Sequence, residues 1–269
     1  MIIFKSINKL NKEVNFKANI GFVPTMGALH KGHISLINSS KKKCKKTLVS
    51  IFINPSQFNK KKDLKKYPKK LRKDIKILKK LKVDYLLLPK IKEIYKNKKT
   101  MKINIIKKDK VLCAKYRPGH FEGVLAVINQ FLINIKPKFI FFGEKDYQQI
   151  ILIKKFIKKK FKTKIVECKT VRLNNLVPYS SRNFHLTKNE IANASFVSKS
   201  IKKLYSSIKK NFNNRFNINL VKKKIESKKI WTDYFEIRNK TNLSKNFNKK
   251  NFKIFIAYYL NDVRLIDNF

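Results

Sequence analysis

IGFVPTMGALHKGH, residues 20–33, joins a short apolar segment to an amphipathic one. Its start is apolar on both faces, which is typical of a strand buried in a parallel sheet, and a helix is predicted to begin near Gly32. Such a junction presents free backbone N–H groups and the positive end of a helix dipole. We therefore expect an anion, most simply a phosphate group, to bind at this turn.

The same alternation of apolar runs and amphipathic segments continues through the first two-thirds of the chain. Strands are predicted at residues 20–24, 47–53, 84–89, 138–143 and 164–168, and helices at residues 32–45, 60–82, 121–135 and 147–161. Strands that alternate with helices indicate a parallel sheet covered on both sides. The expected fold class is α/β, a doubly wound, Rossmann-like parallel sheet with ligands at the carboxyl ends of its strands.

The pattern changes after Arg172. Thr187 and Glu190 have the spacing of a capping box and are predicted to open a helix that continues to about residue 209. A short helix and two β-like runs follow, at residues 220–227, 231–238 and 252–260. We expect a catalytic domain at residues 1–172 and a smaller α+β domain at residues 173–269.

The net charge of +50 comes from 66 basic and 16 acidic residues. Such a charge is typical of proteins that bind nucleic-acid phosphates. However, only seven of the basic residues are arginine, and the lysines are scattered among Asn, Ile and Phe, all encoded by A/T-rich codons. We therefore favour codon bias over a polyanionic partner as the cause of the charge. We interpret the lysine block at residues 60–82 as the solvent-exposed face of one helix.

The composition also excludes several classes of protein. With 43% hydrophobic residues the chain can bury a core, unlike a disordered basic tail. No apolar run approaches the roughly 20 residues of a transmembrane helix, and the N-terminal segment lacks the features of a signal peptide. Cys44, Cys113 and Cys168 fit neither a disulfide framework nor a zinc site. We expect a cytoplasmic protein with reduced thiols and no membrane partner.

Two of the four histidines, His30 and His33, lie in the turn that follows the first predicted strand. Because they are three residues apart, they share one helical face, from which both can donate hydrogen bonds to phosphate oxygens. Gly27 and Gly32 allow the backbone to approach a ligand closely. The turn has neither a Walker ending nor the GxGxxG of dinucleotide-binding folds.

Two other turns carry polar residues at the same expected edge of the sheet. Gln57 follows the second predicted strand, where a neutral amide can bind a hydroxyl or a carboxylate. Lys145 and Asp146 follow the strand that ends at Gly143; the lysine can reach triphosphate oxygens, and the aspartate can hold Mg²⁺ or a ribose. A plain surface loop and a helix-capping pair are the respective alternatives.

Six motifs resemble those of the pantoate–β-alanine ligases, a family of nucleotidyltransferases with paired histidines. They are PTMGALHKGH (24–33), SIFINPSQF (50–58), RPGHFEGV (117–124), FFGEKDYQQ (141–149), SSRN (180–183) and DVRLIDN (262–268). The resemblance covers nearly the whole chain. It implies ATP-dependent joining of pantoate to β-alanine through a pantoyl-adenylate, with release of AMP and pyrophosphate, and it suggests a homodimer. ATP is the expected substrate, together with Mg²⁺.

The resemblance also assigns site residues, position by position. The implied ATP-binding residues are Met26, Gly27, Ala28, Leu29, His30, Lys31, Gly32, His33, Gly143, Glu144, Lys145, Asp146, Val171, Tyr179, Ser180, Ser181 and Arg182. The implied pantoate- and β-alanine-binding residues are Asn54, Gln57, Arg117, His120 and Gln149. The expected catalytic residues are His30, His33, Lys145 and Arg182, with His33 in the place of the family's proton donor and Asp146 as metal ligand.

Arginine is scarce in this chain, and its positions are informative. Arg117, Arg172 and Arg182 fall in or beside the motifs, where bidentate phosphate contact favours arginine over lysine. Gln148 precedes Gln149 directly, so only one of these two amides can face a pocket.

Three positions depart from the family pattern. Cys113 stands where the family usually has Glu near the pocket, Leu176 where it has Gly, and Tyr179 where it has an aliphatic residue beside the adenine. Loss of the glycine is expected to stiffen or reroute its loop. We expect a reduced rate and retained function, because the phosphate-binding residues are all present.

Two alternatives stand beside the ligase. A nucleic-acid-binding or tRNA-charging member of the same superfamily would explain the charge, but the chain lacks a KMSKS-like loop and an anticodon-sized extra domain. A decayed homologue would explain the departures at Cys113 and Leu176. We favour small-molecule substrates with no specific nucleic acid.

The excess of positive charge leads to a first prediction. Like-charge repulsion destabilises the folded state and is screened by salt, so the melting temperature is expected to rise clearly between about 10 mM and about 150 mM NaCl. Thermal unfolding followed by circular dichroism measures this rise. Equal melting temperatures would mean that the repulsion is already neutralised.

Overall fold

The structure, a computed structural model, describes residues 1–16, 18–59, 61–95, 103–158, 160–212 and 217–269. The chain divides into two units. Unit 1 comprises Met1–Lys108 and Arg117–Lys169, and unit 2 comprises Asp109–Tyr116 and Thr170–Phe269. No helix among the described residues is long and apolar enough to cross a membrane.

Unit 1 is built on a six-stranded parallel sheet, which confirms the predicted α/β class. The strands are β1 (Ile2–Phe4), β2 (Ile20–Thr25), β3 (Lys46–Ile51), β4 (Tyr85–Leu87), β5 (Phe139–Gly143) and β6 (Lys164–Cys168), in the spatial order β1-β4-β3-β2-β5-β6. Consecutive residues of β2 and of β3 are buried. Because neighbouring side chains of a strand point to opposite faces, both faces of the sheet are covered.

Helices connect the strands. They are α1 (Ile7–Glu13), α2 (Lys31–Lys43), α3 (Lys61–Lys66), α4 (Leu71–Lys80), α5 (Ile91–Ile94), α6 (Cys113–Tyr116, part of unit 2), α7 (His120–Ile135) and α8 (Tyr147–Ile157). The predicted helices after β2 and β5 and at α7 are confirmed. The elements β1 and α1 were not predicted, because such short segments carry little hydrophobic periodicity.

The prediction of a single helix over residues 60–82 is wrong. The described part of this segment forms two helices, α3 and α4, separated by residues 67–70. Pro68 explains the break, because proline lacks an N–H and disfavours helical backbone at the preceding residue. The lysines of α4 lie on its solvent-exposed face, as expected: Lys73, Lys76, Lys79 and Lys80.

Strand β2 lies where the strand order reverses. It pairs in parallel with β3 on one side and with β5 on the other. In a doubly wound sheet a crevice opens at this point, outside the carboxyl ends of the strands. The chain leaves β2 after Thr25 and β5 after Gly143, so the turns that follow these two residues flank the expected ligand crevice.

Unit 2 has an α+β fold, as predicted for the C-terminal part of the chain. A three-stranded antiparallel sheet contains β7 (Trp231–Asn239), β8 (Phe252–Leu260) and β9 (Val263–Asn268), and the longer helices are α9 (Lys188–Lys210) and α10 (Ile218–Glu226). The capping box of Thr187 and Glu190 at the start of α9 is confirmed. Strand β9 was not predicted.

An ion pair connects the beginning of unit 2 to its last strand. Arg172 donates hydrogen bonds to both carboxylate oxygens of Asp267, at 2.8 and 2.9 Å. It also donates to the carbonyl oxygens of Leu176 and Asn268, and Asp267 accepts a further bond from Ser198. Arg172 is therefore a structural residue, and the expectation that it contacts phosphate is wrong.

We predict that Asp267→Asn destabilises unit 2 by about 3 kcal/mol, because breaking a buried ion pair leaves the remaining charge uncompensated. The side chain of Asp267 is 1% exposed and that of Arg172 is 16% exposed. Urea unfolding measures the loss. The exposed pair Lys9–Glu13 provides the control, and Glu13→Gln is expected to cost less than about 0.5 kcal/mol. Equal effects of the two substitutions would contradict the structural role of Asp267.

Candidate active site

Helix α2 begins at the carboxyl end of β2 with a histidine as its N-cap. The backbone of His30 is extended, and its Nδ1 accepts a hydrogen bond from the N–H of Gly32 at 3.1 Å. Because Nδ1 accepts this bond, the neutral ring carries its proton on Nε2. The helix cap thereby selects the tautomer of His30.

His30 and His33 form a pair of rings at the start of α2. Their centroids are 4.0 Å apart, with the ring planes tilted by 33°. Nδ1 of His33 is buried and has no hydrogen-bond partner among the described residues. Since a buried polar atom without a partner is unfavourable, this nitrogen is a candidate contact for a ligand.

Both histidines are held neutral. Burial is the main cause that lowers the pKa of His33 to about 4 and the pKa of His30 to about 2. The charges of His33 and Lys145 lower the pKa of His30 further, whereas Asp146 acts in the raising direction on His33. At neutral pH the two rings are therefore uncharged hydrogen-bond donors. A bound anion would raise both pKa values, because it favours the imidazolium form.

The turn between β2 and α2 differs from the expectation of free N–H groups. The N–H of Gly27 donates to Oγ1 of Thr25, and those of Ala28 and Leu29 donate to the two carboxylate oxygens of Asp74, at 2.8 Å each. These donors are already occupied inside the protein. A phosphate therefore has to be held mainly by side chains and by the remaining backbone at the start of α2.

The turn after β5 places a lysine and an aspartate beside the histidines. Residues Glu144–Asp146 form a 3-10 turn, in which Nζ of Lys145 donates to Oδ1 of Asp146 at 3.1 Å. The effects of both side chains on the pKa of His33 put them within electrostatic reach of its ring. The ends of β2 and β5 thus meet, as the topology requires.

Asp146 is the expected metal ligand, and its side chain is 46% exposed. No group of three His, Cys, Asp or Glu side chains that could hold a metal occurs within the described ranges. Mg²⁺ commonly binds through one or two carboxylates together with substrate phosphates. The donor set therefore suits an ion that arrives with a nucleotide and does not suit a cage made by the protein alone.

Asn54 shapes the turn that follows β3. Its side chain caps the 3-10 turn Pro55–Gln57, accepting from the N–H and the hydroxyl of Ser56 and from the hydroxyl of Tyr95. Its Nδ2 donates to the carbonyl oxygen of Gly123 at 3.1 Å. Asn54 is only 1% exposed, so its amide groups serve the protein and position Gln57.

Arg117 and His120 hold the backbone of Gln57 from the start of α7. Nη2 of Arg117 donates to the carbonyl oxygen of Gln57 at 3.1 Å, and Nδ1 of His120 donates to the same oxygen at 2.7 Å. Nη1 of Arg117 lies 3.0 Å from Nε2 of His120. The side-chain amide of Gln57 has no hydrogen-bond partner within the part of the chain that the structure describes. It is therefore available to a ligand.

Gly123 is a close-packing position beside the candidate site that the sequence reasoning did not explain. A Cβ at this residue would lie 2.3 Å from the carbonyl oxygen of Ser56, so only glycine lets α7 approach the turn that carries Gln57. The signal in the sequence was a glycine inside a strongly helical segment. Asp74 was also missed, although an acid on the apolar side of a lysine-rich helix is unusual.

The two adjacent glutamines of α8 differ in burial. Gln148 is 6% exposed, whereas Gln149 is half-buried. The structure therefore distinguishes the two amides that spacing alone left equivalent, and the more accessible one is the residue that the family pattern assigns to the ligand.

Five of the expected ATP-binding residues lie in unit 2. The N–H of Tyr179 donates to the carbonyl oxygen of Val171 at 3.0 Å. Ser180 caps the 3-10 turn Ser181–His185 by accepting from the N–H of Arg182. These five residues therefore lie on one loop, residues 171–182, which is held by hydrogen bonds between its own residues.

The departures from the family pattern have structural consequences inside unit 2. Leu176 has a φ of 73°, in the left-handed region where glycine is unstrained and other residues lose about 1–2 kcal/mol. The thiol of Cys113 is buried, 3.0 Å from the hydroxyl of Tyr234 and 3.5 Å from the guanidinium of Arg264. Arg264 pairs with Asp233 at 2.7 Å, so the arginine beside Cys113 keeps an acidic partner.

The lowered pKa of His33 predicts a pH dependence of stability. The unfolded state, with a histidine pKa of about 6.5, binds this proton more readily than the folded state, so stability falls as the pH drops below about 6.5. For a folded pKa of about 4 the loss from His33 between about pH 7.5 and pH 5 is about 2 kcal/mol. Urea unfolding of His33→Gln is expected to lack this part of the loss. The exposed His185 supplies the control, and a His185→Gln variant that loses the same share would contradict the assignment.

Comparison with known proteins identifies relatives over the full length. The family model described as pantoate-beta-alanine ligase matches residues 2–269. A pantothenate synthetase of Buchnera aphidicola subsp. Acyrthosiphon pisum is 44% identical, with 100% of this chain and 98% of the relative covered. One from Francisella philomiragia is 41% identical and covers 100% and 97%.

Solved structures with the same family names are also similar to this chain over its full length. The pantoate-beta-alanine ligase from Francisella tularensis, complexed with beta-gamma ATP and beta-alanine, matches 100% of this chain and 97% of its own, with a TM-score of 0.85 and 38% identity. The pantothenate synthetase of Thermus thermophilus gives a TM-score of 0.91 at 25% identity, over 100% and 99% of the two chains. With the family model matching nearly every residue, this chain belongs to the pantoate–β-alanine ligase family.

Proposed function

We propose that the enzyme joins pantoate to β-alanine through a pantoyl-adenylate. The pantoate carboxylate attacks the α-phosphorus of ATP, and the bond from that phosphorus to the oxygen of the leaving pyrophosphate breaks. The amine of β-alanine then attacks the acyl carbon, and AMP and a proton leave. Family membership supports this reaction, and the ligands of the Francisella tularensis relative support ATP and β-alanine as substrates.

One observation carries the proposal: a pair of neutral histidines lies at the carboxyl end of β2, and His33 has a buried nitrogen without a described partner. Transfer of an adenylyl group shifts negative charge among phosphate oxygens, and fixed donors stabilise that shift. A neutral imidazole already carries one N–H, from which it can donate a hydrogen bond to a phosphate oxygen. We assign His30 and His33 to the phosphate oxygens of ATP and of its transition state.

Lys145 and Asp146 are the proposed partners of the triphosphate. The ammonium of Lys145 supplies a point charge close to the histidines. Asp146 is half exposed and is the proposed ligand of Mg²⁺. When bound with ATP, Mg²⁺ supplies charge neutralisation for the leaving pyrophosphate.

The remaining assignments to ATP rest on the family pattern. In the turn after β2 they are Met26, Gly27, Ala28, Leu29, Lys31 and Gly32, and at the end of β5 they are Gly143 and Glu144. In unit 2 they are Val171, Tyr179, Ser180, Ser181 and Arg182, with Arg182 as a phosphate clamp. Residues 1–172 are the proposed catalytic domain and residues 173–269 the smaller domain.

For pantoate we propose direct contacts from the side chains of Gln57 and Gln149. Neutral amides bind a hydroxyl and a carboxylate without adding charge to the site. Asn54, Arg117 and His120 act on pantoate through the turn that presents Gln57, since all three hold that turn by hydrogen bonds.

Three further proposals concern the setting of the enzyme. We propose a cytoplasmic homodimer that handles small molecules, on the basis of family resemblance. The alternative of a nucleic-acid-binding or tRNA-charging protein rests on the net charge and the paired histidines, and the family match over residues 2–269 does not favour it.

We predict β-alanine-dependent AMP formation from ATP and pantoate, and a loss of at least about 100-fold in kcat for His33→Ala, because one well-placed donor is worth that much in the transition state. Coupled detection of pyrophosphate with and without β-alanine measures both. His185→Ala, which removes an exposed histidine that none of the proposed contacts uses, is expected to keep the wild-type rate.

Normal turnover in His33→Ala would remove His33 from the mechanism. Absence of AMP formation by the wild-type enzyme over a broad range of conditions would instead support a decayed homologue. Tight tRNA binding at physiological salt that survives competition by bulk DNA would favour the nucleic-acid alternative.

A further inference from the structure

Asp74 is a buried carboxylate on a helix that is otherwise covered with lysines. It lies in the first turn of α4 and is only 1% exposed. Its helical neighbour on the inner face is Leu78, which is fully buried. Burying a carboxylate is costly unless hydrogen bonds compensate for the lost water. The two acceptor oxygens of Asp74 therefore need strong donors.

Both donors come from the turn between β2 and α2. Oδ2 accepts from the N–H of Ala28 and Oδ1 accepts from the N–H of Leu29, each at 2.8 Å. Hydrogen bonds of this length to an ionised acceptor are the strong, charge-assisted kind. Burial raises the pKa of the Asp74 carboxyl, whereas the two N–H groups and the charges of Lys70 and Lys73 act in the lowering direction.

The backbone of this turn is unusual and explains why it needs an anion. Gly27 has a φ of 80° and Ala28 a φ of 51°, so two successive residues are left-handed. A residue with a side chain rarely adopts this conformation without support. Successive N–H groups in a turn can form a concave anion site, and those of Ala28 and Leu29 converge on one carboxylate. In this protein the anion is the chain's own Asp74.

The turn leads directly into the histidine pair. Leu29 precedes His30, which caps α2 through its own ring and stands one helical turn before His33. A displacement of Leu29 therefore shifts the ring of His30 and, through the ring contact of 4.0 Å, that of His33. Asp74 has no place among the implied substrate ligands, yet it holds the turn that carries them.

We propose that Asp74 is a positioning residue for adenylyl transfer, which fixes the turn of Gly27, Ala28 and Leu29 so that His30 and His33 meet the phosphate oxygens. This inference rests on the proposed function of the histidines. It also means that the N–H groups of Ala28 and Leu29 bind a carboxylate of the protein and leave the phosphate to the side chains.

The first test compares Asp74→Asn with Asp84→Asn. Asp84 is a matched control, because its carboxylate also accepts a backbone N–H, that of Thr47 at 2.9 Å, but at the amino end of β3, away from the site. Asparagine keeps the size of Asp74 and loses one acceptor. Pyrophosphate release is measured over a range of ATP concentrations, with saturating pantoate and β-alanine.

We expect kcat of Asp74→Asn to fall about 10- to 100-fold, since small misplacements of catalytic groups have effects of this size. The KM for ATP is expected to stay within about threefold, because donors placed for the transition state act mainly on kcat. Asp84→Asn is expected to keep both constants. Equal kcat values for the two variants, or a loss confined to KM, would overturn the proposal.

The second test is chemical rescue of Asp74→Ala. Asp74 lines a pocket of about 560 Å³ together with Gly27 and Ala28, so a small anion can reach the vacated position. Formate is expected to raise kcat of Asp74→Ala and to leave Asp74→Asn unchanged, because the amide still fills the space. A kcat of Asp74→Ala that does not respond to formate counts against a carboxylate acting at this turn.

A third measurement does not depend on catalysis. Amide hydrogen exchange in the ligand-free protein is expected to be at least about tenfold faster in Asp74→Asn than in wild type for at least one of Ala28 and Leu29, since one N–H loses its acceptor and the other keeps only an uncharged amide oxygen. Unchanged exchange overturns the proposal even if the enzyme is active. If exchange is faster in Asp74→Asn but the wild-type enzyme makes no AMP, the structural inference is correct and the proposed function is wrong. If Asp74→Asn fails to fold, Asp74→Glu, which displaces the carboxylate and keeps its charge, is measured in its place against the same limits.

Discussion

The parallel pairing of β2 with β3 on one side and β5 on the other is the constraint on which the site depends. It places the turn after Thr25 beside the turn after Gly143, and therefore the histidines beside Lys145 and Asp146. Parallel strands all end at one edge, so residues far apart in the chain meet there without any direct bond between them. Every proposed phosphate contact in unit 1 derives from this arrangement.

Acidic residues are few in this lysine-rich protein, but several of them stabilise its structure. Several buried or half-buried ones hold the backbone or a guanidinium: Asp74 binds two N–H groups, Asp84 binds another, and Asp267 binds Arg172. The lysines of α4 remain in solvent. The large net charge is therefore a property of the surface, whereas the chemistry that we propose for unit 1 uses two histidines that burial keeps neutral.

Much of the architecture could be predicted because its elements carry local signals. Apolar runs marked β2, β3 and β5, the capping box marked α9, and the spacing of His30 and His33 implied their shared face. Pro68 separates α3 from α4, although the spacing of the apolar residues had predicted one continuous helix. The shortest elements, β1 and α1, were missed because a few residues hold too little pattern. The family resemblance supplied roles for site residues that periodicity cannot assign.

By itself, then, the sequence determined most of the strands, most of the helices, the histidine pair and the family. Each of these depends on residues that are close together in the chain or on short motifs that can be matched directly. Tertiary structure decided which groups bind each other. Arg172 pairs with Asp267 and not with a phosphate, Asn54 turns its amide to Gly123, and Asp74 takes the N–H groups that the turn was expected to offer a ligand. These pairings depend on distances across the fold, because a hydrogen bond or an ion pair forms only where buried donors and acceptors meet in space.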